Sequence, residues 1–213
     1  MPTAKANPVS CQSILANNTN EPKSLDLVPK SDPILRQVMP AEQNFKDPAL
    51  QDVIVDMCHS ILPEQLKEPA AGMAANQWGL PRRVFIYSPD EIATAEVVIN
   101  PSCEPYLPEG ETQYKVVHAY EACFSVPLAT GLVERYDAIK ATYYTPNGEK
   151  IERILQGWEA RVFQHETDHL DGKLYDGQLD NYSGPTCLDR IVFKDRDAME
   201  NWFDERRRAR AKE

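Results

Sequence analysis

The chain has 213 residues, 42% of them hydrophobic and 26% charged, which fits one globular domain with its own core rather than two. A formal net charge of −10 argues against broad adhesion to DNA, RNA or anionic membranes, so any contact with RNA has to be local. No apolar run reaches bilayer length and the first 30 residues lack the sections of a secretory signal, so a cytoplasmic location is expected, with an organelle left open.

Residues 1–25 mix Asn, Pro, Ser and Lys without a sustained period and predict a loosely ordered extension. Asp47 and Pro48 then stand at cap and first-turn positions, and Leu50, Val53, Ile54, Met57 and Ile61 recur on one face of a first amphipathic helix. Short β-rich runs follow at 82–87, 96–101 and 138–144. A Pro-Asn-Gly turn at 146–148 leads into the run 149–156, which together predict antiparallel strands and a hairpin. Gly157 precedes a helical segment in which Trp158, Val162, His165 and His169 share a face, with Gly172 as the stop. A terminal helix is expected from Pro185 onward, on the stripe Leu188, Ile191, Val192, Met199, Trp202 and Phe203. Strands followed by helices without regular alternation indicate an α+β fold. Five cysteines, scattered and without a CxxC pair, read as thiols of a reducing compartment rather than a disulfide frame.

The chemistry concentrates in His165-Glu166-Thr167-Asp168-His169, an HExxH pattern on a predicted helix. At about 3.6 residues per turn the two imidazoles reach one metal ion, with Glu166 beside them to move protons. A catalytic site of this kind needs a third ligand. In the metzincin pattern that position falls on Tyr175, which does not serve; Asp189 or Glu200 are open to other metalloproteases, though nothing around either singles it out.

Two further segments, Ala70-Ala71-Gly72-Met73-Ala74-Ala75-Asn76-Gln77 and Glu121-Ala122-Cys123-Phe124-Ser125, precede Gln164-His165-Glu166-Thr167-Asp168-His169. In order and spacing the three resemble the peptide deformylase patterns GxGxAAxQ, EGCxS and QHExDH. The resemblance extends from about residue 26 to 182, and it implies a catalytic domain there, with 183–213 as a C-terminal helix with a basic end. It implies antiparallel sheets packed around a central metal-binding helix, and removal of the formyl group from formyl-methionine peptides of new proteins. A metalloprotease, or a relative that binds formyl-peptides and turns over poorly, is the alternative.

The resemblance further implies Cys123 as the third metal ligand with His165 and His169, holding Fe2+ in the cell, or Zn2+, Ni2+ or Co2+ once purified. Gln77 and the Phe124 N–H become donors to the formyl oxygen, and Glu166 the acid-base. Ala70, Ala71, Gly72 and Ala122 border the groove that takes the peptide as an added strand, and Trp158, Arg161 and Val162 line the methionine pocket. A guanidinium in such a pocket is expected flat at the rim or turned to solvent. Glu121, Arg135 and Asp168 match a supporting ion-pair network. Ala70 and Ala122 replace motif glycines, and Asn76 stands where proline is common. The run Arg206-Arg207-Arg208-Ala209-Arg210-Ala211-Lys212 reads either as a solvated helix end or as a contact to ribosomal RNA.

Overall fold

The structure is a computed structural model and describes residues 7–66, 70–88, 94–175 and 187–210. Helices α1 (Cys11–Asn17), α2 (Pro48–Ser60) and the single turn α3 (Pro63–Leu66) precede three strands, β1 (Gly72–Ala74), β2 (Val84–Tyr87) and β3 (Glu96–Pro105). Then come β4 (Val116–Cys123), β5 (Val126–Tyr136), β6 (Ala138–Tyr144) and β7 (Lys150–Gln156). Helix α4 (Gly157–Leu170), strand β8 (Cys187–Val192) and helix α5 (Arg196–Arg210) complete the order. The strands form two antiparallel sheets, β1-β2-β3-β6-β7 and β4-β5-β8.

Strand β2 explains why a four-residue apolar run becomes a strand: both of its faces are covered. Successive side chains point to opposite sides, so Val84 and Ile86 join the core around α2 while Phe85 and Tyr87 join the core around α4. Helix α2 starts as its sequence requires. The Asp47 side chain accepts from the Ala49 N–H at 3.2 Å, Pro48 fills the first turn, and Leu50, Ile54, Met57 and Ile61 are fully buried. The β6–β7 hairpin turns through Gly148, and Gly148 N–H donates to Thr145 O at 2.9 Å. Helix α4 ends at Leu170, and the chain turns away through Gly172, whose φ of 70° and whose approach to the Arg36 backbone, 2.7 Å from an added Cβ, both require glycine.

Two expectations are corrected. Cys11 and Cys58 form a disulfide, with Cα atoms 5.1 Å apart across a sequence separation of 47, while Cys103, Cys123 and Cys187 stay outside disulfides. The pairing joins α1 to α2, a proximity that cysteine spacing does not encode. The stretch without a period accordingly holds a capped helix: Ser10 Oγ accepts from Ser13 N–H at 3.3 Å, and Cys11 N–H donates to Ala95 O at 2.7 Å.

The second correction lies near the end. Leu188, Ile191 and Val192 belong to β8, not to a helix, because β5 offers an open edge and pairs them in the register Thr130↔Ile191 and Leu132↔Asp189. Helix α5 begins later, where the Asp195 carboxylate accepts from Ala198 N–H at 2.8 Å. Pro185 lies outside the described residues. Among the described residues no helix is long and apolar enough to cross a membrane.

Candidate metal centre and cleft

Helix α4 contacts strands of both sheets. Its apolar side presents Phe163 to Phe85, Tyr87 and Tyr143, with ring centroids at 5.1, 5.6 and 5.9 Å. Gln164 locks the helix to the end of β5, donating to Tyr136 O at 2.8 Å and accepting from Tyr136 N–H at 3.2 Å. The last carbonyls, which have no partner within a helix, are met from outside. The Leu170 carbonyl accepts from Met39 N–H at 2.8 Å, and the His169 carbonyl accepts from Asn76 Nδ2 at 2.6 Å.

Held this way, His165 and His169 stand one turn apart and aim Nε2 at the same point, 3.2 Å from each other. Cys123, at the end of β4, brings its Sγ to 3.2 Å from His169 Nε2, and all three ligand atoms lie within 4.8 Å of one another. A tetrahedral ion with metal–N bonds near 2.0–2.1 Å and metal–S near 2.3 Å needs ligand spacings of about 3.4–3.6 Å, so the group fits after small adjustments. Donor chemistry agrees: one thiolate and two imidazoles form a borderline-soft set.

Behind His165 lies a buried charge cluster centred on Glu121. Its carboxylate accepts from Arg135 Nε at 2.7 Å, Arg135 Nη2 at 2.9 Å and Arg161 Nη1 at 2.6 Å, and it lies 2.9 Å from His165 Nδ1. Arg135 also donates to Asp168 at 2.7 Å. Burial pushes the Glu121 carboxyl up, but Arg135 and His165 outweigh burial and hold it well below the usual carboxylate range. The ionised carboxylate fixes the His165 ring so that Nε2 faces the cluster. Glu121, Arg135 and Asp168 are thus brought together as expected.

Arg161 corrects an expectation. It is neither at the rim nor in solvent; it is buried, with Nη2 donating to Val117 O at 2.6 Å in addition to its pair with Glu121. A buried guanidinium is stable only when paired, and Glu121 supplies the partner. Sequence position alone marks the residue as pocket-facing but not its carboxylate.

Glu166 follows His165 on the inner side of the helix. It is 3% exposed, its Oε2 has no hydrogen-bond partner among the described residues, and burial pushes its pKa up to about 7. Gly72 makes room for it: a Cβ there would stand 2.6 Å from Glu166 Oε1. Gln77 sits opposite, its Oε1 held by Ala74 N–H at 2.9 Å. Its Nε2 donates to Ser125 Oγ at 3.0 Å and lies 3.6 Å from Cys123 Sγ. A carboxyl poised near neutrality and an oriented amide donor therefore flank the cluster.

The remaining sequence-derived residues border one cavity of about 480 Å³. Ala70, Ala71, Gly72, Gln77, Ala122, Cys123, Phe124, Trp158, Arg161, Val162, His165 and Glu166 all line it, and His169 lies buried behind them. Trp158, 53% exposed, stands at the mouth, whereas Val162 is buried. Ala122 is exposed to the cavity, and the non-glycine residues with positive φ among those described are Asn100 and Leu128, so alanine is unstrained there. Sequence reasoning missed Ser125, Leu128 and the α5 residues Met199 and Phe203 as lining groups or partners. Ser125 was visible as the last letter of its motif; Met199 and Phe203 were visible as a stripe, but the stripe has no address until the fold supplies one.

A model of the polypeptide deformylase family matches residues 24–184. Peptide deformylase 2 of Pseudomonas syringae pv. tomato is 34% identical over 170 residues, covering 75% of this chain and 87% of that protein. Peptide deformylase 1 of Bordetella pertussis is 36% identical over 152 residues, covering 68% and 81%. Among solved structures, the peptide deformylase of Thermotoga maritima superposes with a TM-score of 0.61 at 31% identity, over 74% of this chain and 99% of that one. The actinonin complex of the Synechococcus elongatus enzyme gives 0.60 at 27% identity, over 74% and 79%.

Proposed function

Since the chain belongs to the polypeptide deformylase family and removes the N-formyl group from nascent polypeptides, we propose that Cys123, His165 and His169 hold its metal ion, that Glu166 moves the proton and that Gln77 stabilises the charge gained by the formyl oxygen. The convergence of one thiol and two Nε2 atoms beside a buried, near-neutral carboxyl is the observation that carries this reading. When bound, the ion supplies a Lewis acid that polarises the formyl oxygen and makes water a stronger acid. Fe2+ in the cell, with Zn2+ as a stable substitute, matches the mixed sulfur and nitrogen donors.

Glu166 takes a proton from the water that attacks the formyl carbon, and returns it to the amine nitrogen as the C–N bond breaks and formate leaves. A carboxyl held near pH 7 serves both directions, since it gives up and regains the proton at similar free energy. As the carbonyl oxygen gains negative charge, Gln77 Nε2 and the Phe124 N–H donate to it, each worth about 3 kcal/mol in comparable sites. Residues 70–72 receive the peptide as an added strand, which is supported by β1 forming the edge of its sheet. Val162 and Trp158 then bound the methionine side chain from its buried and open ends.

We further propose residues 26–182 as the catalytic unit, with a cytoplasmic location and a ribosome contact through the basic end of α5. Arg206 is engaged over the Trp202 ring at 3.4 Å and Arg207 pairs with Asp204, which leaves Arg208 exposed for RNA phosphates. Reversing Arg208 and Arg210 to glutamate is expected to abolish salt-sensitive co-sedimentation with ribosomes; undiminished binding rules the contact out.

The assignment of the centre is tested by formate release and elemental analysis together. Cys123→Ser is expected to lose stoichiometric metal. Glu166→Ala is expected to keep the metal and lose about 10²–10⁴-fold in turnover of a formyl-Met tripeptide. Full metal content in Cys123→Ser, or near-normal turnover by Glu166→Ala, sinks the assignment.

A further inference from the structure

The family match ends at residue 184, yet the cleft does not. Arg196, Met199, Phe203 and Arg207 of α5 border the same cavity as Cys123 and Glu166. Their spacing of three, four and four residues places them on one face of the helix. That face is held toward the cavity by its neighbour: Trp202 packs edge-on against Tyr120 of β4 at 4.7 Å, and Phe193 meets Trp202 at 5.7 Å. Arg206 covers the outer side of the Trp202 ring, and Tyr120 donates to Asp189 of β8 at 2.8 Å. Helix α5 is thus fixed by its Trp202 face and presents its Met199 face to the cleft.

We propose that α5 forms the outer wall of the peptide cleft and that Met199 and Phe203 select apolar side chains in the residues that follow formyl-methionine. The inference rests on the cleft being the formyl-peptide site. The twelve residues from Arg196 to Arg207 span about 16 Å of helix, and an extended peptide advances about 3.3 Å per residue, so the stripe is long enough to meet several consecutive substrate residues. Both central side chains are half-buried, with apolar surface left facing the cavity. At the two ends the guanidinium groups have acidic neighbours on the helix, Glu200 for Arg196 and Asp204 for Arg207. Charge is therefore largely balanced along the wall, and apolar area is what remains to discriminate. A thioether beside an aromatic ring adapts to aliphatic and aromatic shapes alike.

The test uses the full, metal-loaded chain and formyl-Met-Gly-Gly-Gly with leucine placed in turn at each glycine. Wild type is expected to favour at least one leucine peptide by about ten-fold or more in kcat/KM, chiefly through KM. The double variant Met199→Ala, Phe203→Ala is expected to lose that preference, with kcat/KM for the leucine peptides falling to that for the all-glycine peptide. Equal preference in both proteins overturns the proposal. Should limited proteolysis within 193–210 show that the double variant has undocked α5, Phe203→Leu decides: the preference is expected to move toward phenylalanine and tryptophan peptides, and an unchanged profile overturns it. Absence of formate release by wild type from every peptide sinks instead the reading of the cleft as a deformylase site.

Discussion

Where the five-stranded sheet meets α4, the contact consists of rings: Phe163 lies among Phe85, Tyr87 and Tyr143, at angles that avoid face-to-face stacking. Where the three-stranded sheet meets the same helix, the contact consists of charges: Glu121 and Arg135 on the sheet, Arg161, His165 and Asp168 on the helix. The first kind of contact is non-directional and sets how deep the helix sits. The second is directional and sets which way an imidazole points. A helix that must place two ring nitrogens within a few tenths of an ångström uses one side for adhesion and the other for aim.

The comparison predicts that the two sides fail differently. Glu121→Gln leaves Arg161 buried without its counter-charge and Arg135 with Asp168 alone, and is expected to cost about 3–5 kcal/mol in denaturant unfolding of the metal-free protein. It is also expected to weaken metal affinity about 10–100-fold, because His165 loses its carboxylate. Retention of wild-type affinity would show that the charges do not aim the ring. On the other side, Phe163→Leu is expected to cost about 1 kcal/mol of stability while leaving metal affinity per folded molecule unchanged. A parallel fall in affinity breaks the division of labour.

Smaller effects sharpen it. Ala122→Gly is expected to alter KM for peptides with bulky side chains near the formyl-methionine and to leave the melting temperature within a degree or two, since the Ala122 backbone is unstrained. A raised melting temperature with an unaltered specificity profile argues the reverse. The smallest effect concerns Cys103 on β3, whose thiol burial pushes up to about 11. The raised value favours the neutral thiol in the folded state, a contribution complete below the unfolded thiol pKa of about 8.5 and lost as pH rises toward 11. Alkylation of Cys103 at pH 8, followed by mass spectrometry, is expected to be far slower in native than in unfolded protein, with that protection fading as pH approaches 11.

How much of this was legible in the sequence depends on how local the cause is. Asp47 and Pro48 state the start of α2, and Gly157 and Gly172 bracket α4, because caps and turns act over a few residues. The cluster of Cys123, His165 and His169, proposed above to hold the metal, was reached for a different reason: three short motifs that resemble those of one family occur in order. Strands β4 and β5 were missed, since their mixed polar and apolar residues gain meaning only when Glu121 meets Arg161 from 40 positions away. The same holds for Cys11 with Cys58, and for Ile191 and Val192, whose helical spacing was overridden by pairing with β5. Asn76 was noticed only as a departure from a proline, yet its amide reaches His169 O and so ties the turn bearing Gln77 to helix α4.

Strand β2 has one more consequence. Its four residues furnish alternate walls to two separate cores, Val84 and Ile86 to one, Phe85 and Tyr87 to the other. A substitution there damages one compartment at a time, and repacking can absorb it. A one-residue slip of β2 against β1 and β3 does something else: it exchanges the contents of both compartments at once, delivering aromatic bulk to α2 and aliphatic stubs to α4. The register of β2 is therefore under tighter constraint than the identity of any one of its apolar side chains.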